Sequence, residues 1–105
     1  MTKRDSYVDG YEYTETIASG KTGDDIRIFP LGLDSEGIIH KIFAGSGTGY
    51  FEWTMSPDAM VVAGTANWDP WPQGTVTGTK WDRAHKITGL RGVSVSGEIK
   101  IEVGA

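Results

Sequence analysis

An all-β fold is predicted for this chain: an antiparallel β-sandwich, jelly-roll-like or Ig-like, of about seven or eight short strands. Three observations carry the prediction. Residues 87–103 alternate apolar and polar almost without interruption. Fifteen glycines and four prolines in 105 residues suit short strands and tight turns and would break helices. Aromatic and β-branched residues recur in short runs separated by turn-forming residues.

The elements follow in order. Residues 1–9 are polar and charged and read as a flexible arm that orders on a partner, with 10–105 as a single sandwich domain. Tyr11 to Ile17 alternates, with Tyr11, Tyr13 and Ile17 on one face. After the turn 19–25, Ile26 to Leu31 forms a second strand ended by Pro30, which cannot donate to a ladder. Residues 38–43 are apolar on both faces and belong in mid-sheet. Tyr50 to Met55 alternates with Phe51, Trp53 and Met55 inward, and Ser56-Pro57-Asp58 stops it. Met60 to Ala63 reads as a strand in preference to one helical turn, 67–74 as an irregular loop, 75–79 as a short strand, and 80–85 as a turn or brief helix. The chain then closes in a hairpin turning at Ser96-Gly97, with Val93, Val95, Ile99, Ile101 and Val103 inward and Ser94, Ser96, Lys100 and Glu102 outward.

Composition bounds function. A net charge of −4 speaks against free nucleic acid as the main partner. No cysteine is present, so disulfides and thiolate metal sites are excluded. No run approaches the apolar length of a membrane helix, and the N-terminal residues lack a signal-peptide core, so neither membrane insertion nor secretion is expected. Gly20-Lys21-Thr22 and the glycines of 45–49 lack the spacing and the following helix of a phosphate-binding loop. His40 and His85 lie far apart in sequence and read as structural or exposed. The aspartates sit in turn contexts, where they bond their own backbone. No catalytic residue, cofactor or metal is expected.

The tryptophans carry most of the functional signal. Trp53 reads as core. Trp68 and Trp71 lie in a loop stiffened by Pro70 and Pro72, with Trp81 following, and such aromatics anchor a protein interface, stack on a sugar ring or cap the sandwich. Lys80 and Arg83, within the basic stretch 80–91, suit docking onto an acidic protein surface. Trp68, Trp71, Trp81, Lys80 and Arg83 are therefore the expected partner-binding residues, with Trp71 dispensable for folding.

The Gly-Thr-Gly leading into a strand at 47–55, the Trp-x-x-Trp-Pro-x-Gly-Thr-Val of 68–76 and the closing stretch 87–103 together resemble small bacteriophage virion structural proteins of the β-sandwich type. That resemblance implies a non-enzymatic capsid decoration or cement protein, or a tail accessory. Such a protein is made in the host cytoplasm, carried in the virion as a homo-oligomer or in many copies, and bound to the major capsid or another virion protein. The other reading is a carbohydrate-binding module that holds a glycan on its tryptophans.

Overall fold

A computed structural model describes residues 11–28 and 37–104. The expected arm at 1–9 lies outside them. Among the described residues there are eight strands: β1 (Tyr11–Ile17), β2 (Ile26–Arg27), β3 (Ile38–Phe43), β4 (Thr48–Thr54), β5 (Asp69–Pro70), β6 (Thr79–Ala84), β7 (Gly89–Ser96) and β8 (Ile99–Gly104). They form two four-stranded sheets, of order β1-β8-β3-β6 and β2-β7-β4-β5. Every ladder is antiparallel.

The pairing has a simple logic. Strand β4 pairs β5, β3 pairs β6, β2 pairs β7 and β1 pairs β8. The chain thus doubles back on itself as one long ribbon. The ribbon then wraps, and β3 joins β8 while β4 joins β7 to close the two sheets. This is the strand order of a jelly roll, which decides between the two sandwich types the sequence left open.

Between the sheets lies one apolar core. Tyr13 and Ile17 of β1, Ile38 and Ile42 of β3, and Ile99, Ile101 and Val103 of β8 face Ile26, Phe51 and Leu90 of the other sheet. The side-chain period of two is clean in β8 and β3, whose residues alternate between buried and partly or fully exposed. As expected, β3 sits in mid-sheet.

Several expectations need correction. Residues 92–103 do not form a hairpin within one sheet: β7 and β8 belong to different sheets, and the turn at Gly97, with φ +74°, carries the chain across the sandwich. The facing of β7 is also reversed. Leu90, Gly92 and Ser94 point inward, while Val93 is half-buried on the outside and Val95 is 52% exposed. A Cβ on Gly92 would stand 2.7 Å from Ile17 Cδ1 and 3.1 Å from Ile101 Cγ2, so the sheets meet there too closely for a side chain. Ser94 is tolerated inside because its hydroxyl donates to the Gly97 carbonyl at 2.5 Å and accepts from the Gly20 amide at 3.3 Å.

Residues 58–63 are a helix, α1 (Asp58–Ala63), rather than a strand. Pro57 fixes its start, Gly64 ends it at φ +77°, and Val61 alone turns into the protein. Strand β4 ends at Thr54, so Met55 lies past the last ladder pair and is 71% exposed instead of inward. Residues 75–79 make a single bridge, Val76 to Gly49, between left-handed glycines at 74 and 78. The strand in this region is β6, whose charged residues suit a sheet edge.

Candidate functional site

The four tryptophans do four different things. Trp71 is 2% exposed and is among the largest fully buried side chains. Its amide donates to the Phe51 carbonyl at 2.9 Å, extending the β4–β5 pairing and drawing the loop back over the core. Its indole Nε1 donates to the Gly74 carbonyl at 2.6 Å, and its ring meets Phe51 edge-on at 5.1 Å. Trp71 is therefore packed in the core and not, as expected, presented to a partner. The flanking prolines stiffen a core plug.

Trp68 covers the outer face of the second sheet, over Gly89 and beneath the guanidinium of Arg91, 4.2 Å from the ring centroid. That Arg91 also donates to Glu52 at 2.7 Å and Asp25 at 3.3 Å. Trp68 is thus committed to packing within its own sheet. Trp53 faces inward and is half-buried, as a partial core residue.

Around Trp53 lies an interior cluster of which the sequence offered only a structural or exposed histidine. His40 is 0% exposed. Its Nε2 accepts from Trp53 Nε1 at 3.0 Å and its Nδ1 contacts the Ile38 carbonyl at 3.2 Å. Phe51 stands edge-on to it at 4.8 Å and Trp71 is tilted at 5.6 Å. Burial pulls its pKa down to about 4, against weaker support from the Ile38 carbonyl and Asp82. A second buried polar group is Glu15, which accepts from the Tyr13 hydroxyl at 2.9 Å and the Asp24 amide at 3.1 Å. Burial raises the Glu15 pKa and, with the Glu15 charge, pushes the Tyr13 hydroxyl far above its ordinary value. Both groups are enclosed and hydrogen-bonded, which fits a structural role. Among the described residues no group of three or more His, Asp or Glu side chains converges as a metal site.

The outer face of the first sheet is different. Cross-strand register sets its side chains in rows. One row runs Thr14, Glu102, Lys41 and Trp81, the next Thr16, Lys100, Phe43 and Thr79, and Ile39 lies opposite Arg83. Trp81 is 57% exposed in the middle of β6. Lys41 Nζ lies 5.4 Å from the Phe43 ring centroid. Among the described side chains the face carries Lys41, Arg83 and Lys100 against Glu102, a basic set on an acidic chain.

Of the five expected binding residues, this face unites Trp81 and Arg83. Lys80 is exposed beside them but stems from the opposite side of β6. Trp68 and Trp71 are elsewhere, so no three-tryptophan platform exists. What the sequence reading missed is Lys41, Phe43 and Ile39. The signal was present, since residues 38–43 are apolar on both faces, and the second face was assigned to burial.

The free side of β6 is blunted. The Ala44 amide donates to the Gly78 carbonyl at 2.7 Å, so by alternation Lys80, Asp82 and Ala84 pair with β3, while the backbones of Thr79, Trp81 and Arg83 point away. Gln73 Nε2 donates to the Trp81 carbonyl at 2.6 Å, and the Arg83 amide donates to Asp82 Oδ1 at 2.7 Å. Side chains thus occupy two of the groups that would template another strand, the Trp81 carbonyl and the Arg83 amide.

No family model matches the chain, and no curated protein matches it. Among solved structures, it is similar to a dTDP-4-dehydrorhamnose 3,5-epimerase from Bacillus anthracis, crystallised with TDP and pyrophosphate, with 10% identity and a TM-score of 0.48. The match covers 90% of this chain and 53% of the epimerase chain. A likeness this distant says nothing about what this chain binds or does.

Proposed function

We propose that this chain is a non-enzymatic structural protein that attaches to a larger protein assembly, a virus particle, through the outer face of its first sheet. The observation that carries the reading is Trp81: a large aromatic side chain 57% exposed in an ordered strand, opposite Lys41 and two residues from Arg83. A strand-borne anchor loses little freedom on docking, and tryptophan with arginine is the usual composition of an interface hot spot. The cations call for an acidic patch on the partner. The blunted edge of β6 favours docking by side chains over strand addition. The virus particle as the assembly, and the protein's presence there in many copies, rest on the resemblance of residues 47–103 to phage virion proteins.

The test is cosedimentation of the purified chain with particles of the parent phage that lack it. Trp81→Ala is expected to keep the native melting temperature and lose on the order of thirtyfold in affinity, about 2 kcal/mol. Arg83→Glu should weaken binding further at low salt than at high salt. A folded Trp81→Ala protein that binds as well as the parent sinks the proposal.

A further inference from the structure

We infer that a groove at the end of the first sheet binds a neutral saccharide. The groove holds ≈ 440 Å³ and lies between the β3–β4 turn and the start of β8. It is open to solvent, with Thr16, Gly45, Ser46, Glu98 and Lys100 exposed along it. Its sides are Thr16, Lys100 and Phe43, consecutive members of one cross-strand row, together with Ser46, Glu98 and the backbone of Gly45.

The walls are fixed in place. A Cβ on Gly47 would stand 2.3 Å from the Ser96 carbonyl oxygen and 3.1 Å from Gly97 Cα, so the two turns rest backbone on backbone. The Gly97 amide is also held by Ser19 Oγ at 2.9 Å. A groove framed in this way exists before any ligand arrives, which lowers the cost of binding.

Its chemistry selects the ligand class. The Thr16 and Ser46 hydroxyls, the Lys100 ammonium and the Glu98 carboxylate have no hydrogen-bond or ion-pair partner among the described residues. An anion would gain from Lys100 and be repelled by Glu98, and a cation the reverse. A sugar hydroxyl both donates and accepts, so it satisfies a carboxylate and an ammonium together. The Phe43 ring supplies the apolar surface on which the C–H face of a pyranose packs. This site shares Thr16, Phe43 and Lys100 with the outer face of the first sheet but does not rest on the docking role of Trp81.

The experiment is a titration of the isotopically labelled full chain, followed by backbone amide NMR. The probes are cellohexaose, maltohexaose, mannohexaose, xylohexaose and chitohexaose, with inorganic phosphate and trigalacturonate as anionic comparators. Expected is a saturable shift of the Gly45, Ser46, Gly47, Glu98 and Lys100 amides with at least one neutral member. Phe43→Ala should weaken it by about tenfold or more, with Phe43→Trp restoring it. Lys100→Met, at an exposed position, provides a second loss variant if Phe43→Ala perturbs the sheet. No saturable shift with any neutral member at about 10 mM, ten times a millimolar Kd, overturns the inference. So does a response to phosphate or trigalacturonate alone, or one centred on Trp81.

Discussion

Trp53 Nε1 donates to His40 Nε2 across 3.0 Å, joining the two sheets by one hydrogen bond inside the core. Because Nε2 accepts, the proton of the neutral imidazole belongs on Nδ1, which donates to the Ile38 carbonyl. A protonated His40 would lose its bond to Trp53 and leave a charge among aromatic rings.

Stability should therefore depend on pH. The unfolded histidine titrates near its ordinary value of 6.5 and the folded one at about 4. Between these values the unfolded chain binds a proton that the folded chain refuses, so stability is full above the window and declines as pH falls through it, by up to about 3 kcal/mol. Glu15 acts in the opposite sense: its folded pKa is raised, so its neutralisation on acidification restores stability. His40→Gln keeps an acceptor for Trp53 and removes the titration. Urea midpoints across the window should show the acid decline flattened in that variant; an unchanged decline assigns it to another group.

Trp71→Ala should cost about 3–5 kcal/mol, as for a large buried aromatic, whereas Trp81→Ala should cost under about 0.5 kcal/mol. Thermal and denaturant melts of the two variants settle the matter. Comparable losses would show that Trp81 packs more than its exposure indicates.

The facing of β7 is testable by a pair of small changes. Gly92→Ala places a methyl group against Ile17 and Ile101 and should cost about 1–3 kcal/mol. Val95→Ser, on the solvent side, should change stability by less than about 0.5 kcal/mol. The reverse ranking would restore the inward valines that alternation suggests.

Gln73→Ala combined with Asp82→Ala frees the Trp81 carbonyl and the Arg83 amide on the edge of β6. The double variant should remain folded and show concentration-dependent association by light scattering, absent from the parent. A double variant that stays as dispersed as the parent shows that the two caps do not protect the edge.

The sandwich was legible because most strands obey the period of two and the turns carry glycine. What alternation could not supply was facing where backbone geometry outranks polarity. Gly92 and Ser94 face inward because the sheets touch at one and a hydroxyl is fully bonded at the other, and neither fact is written in hydropathy. The jelly-roll order was beyond reach, since local pattern does not say that Ser96-Gly97 passes between sheets. At the candidate site, exposure separated residues that sequence treats alike. Trp71 and Trp81 are both tryptophans near turns, yet one plugs the core and the other lies on a sheet face. The groove combines Thr16 with residues of 43–47 and 98–100, and only pairing of distant strands makes them neighbours.

The ribbon-like pairing of the strands has a kinetic consequence. Among the named ladders, β4 with β5 alone joins strands consecutive in sequence. Neither sheet can be completed by local zipping, and β1 must await β8, the strand farthest from it along the chain. Loop-closure entropy is lost before most contacts form, so the contact order is high and folding belongs on the millisecond-to-second scale. During synthesis on the ribosome β1 has no sheet partner until Gly104 has emerged, which leaves its inward Tyr13 and Ile17 to be shielded until then.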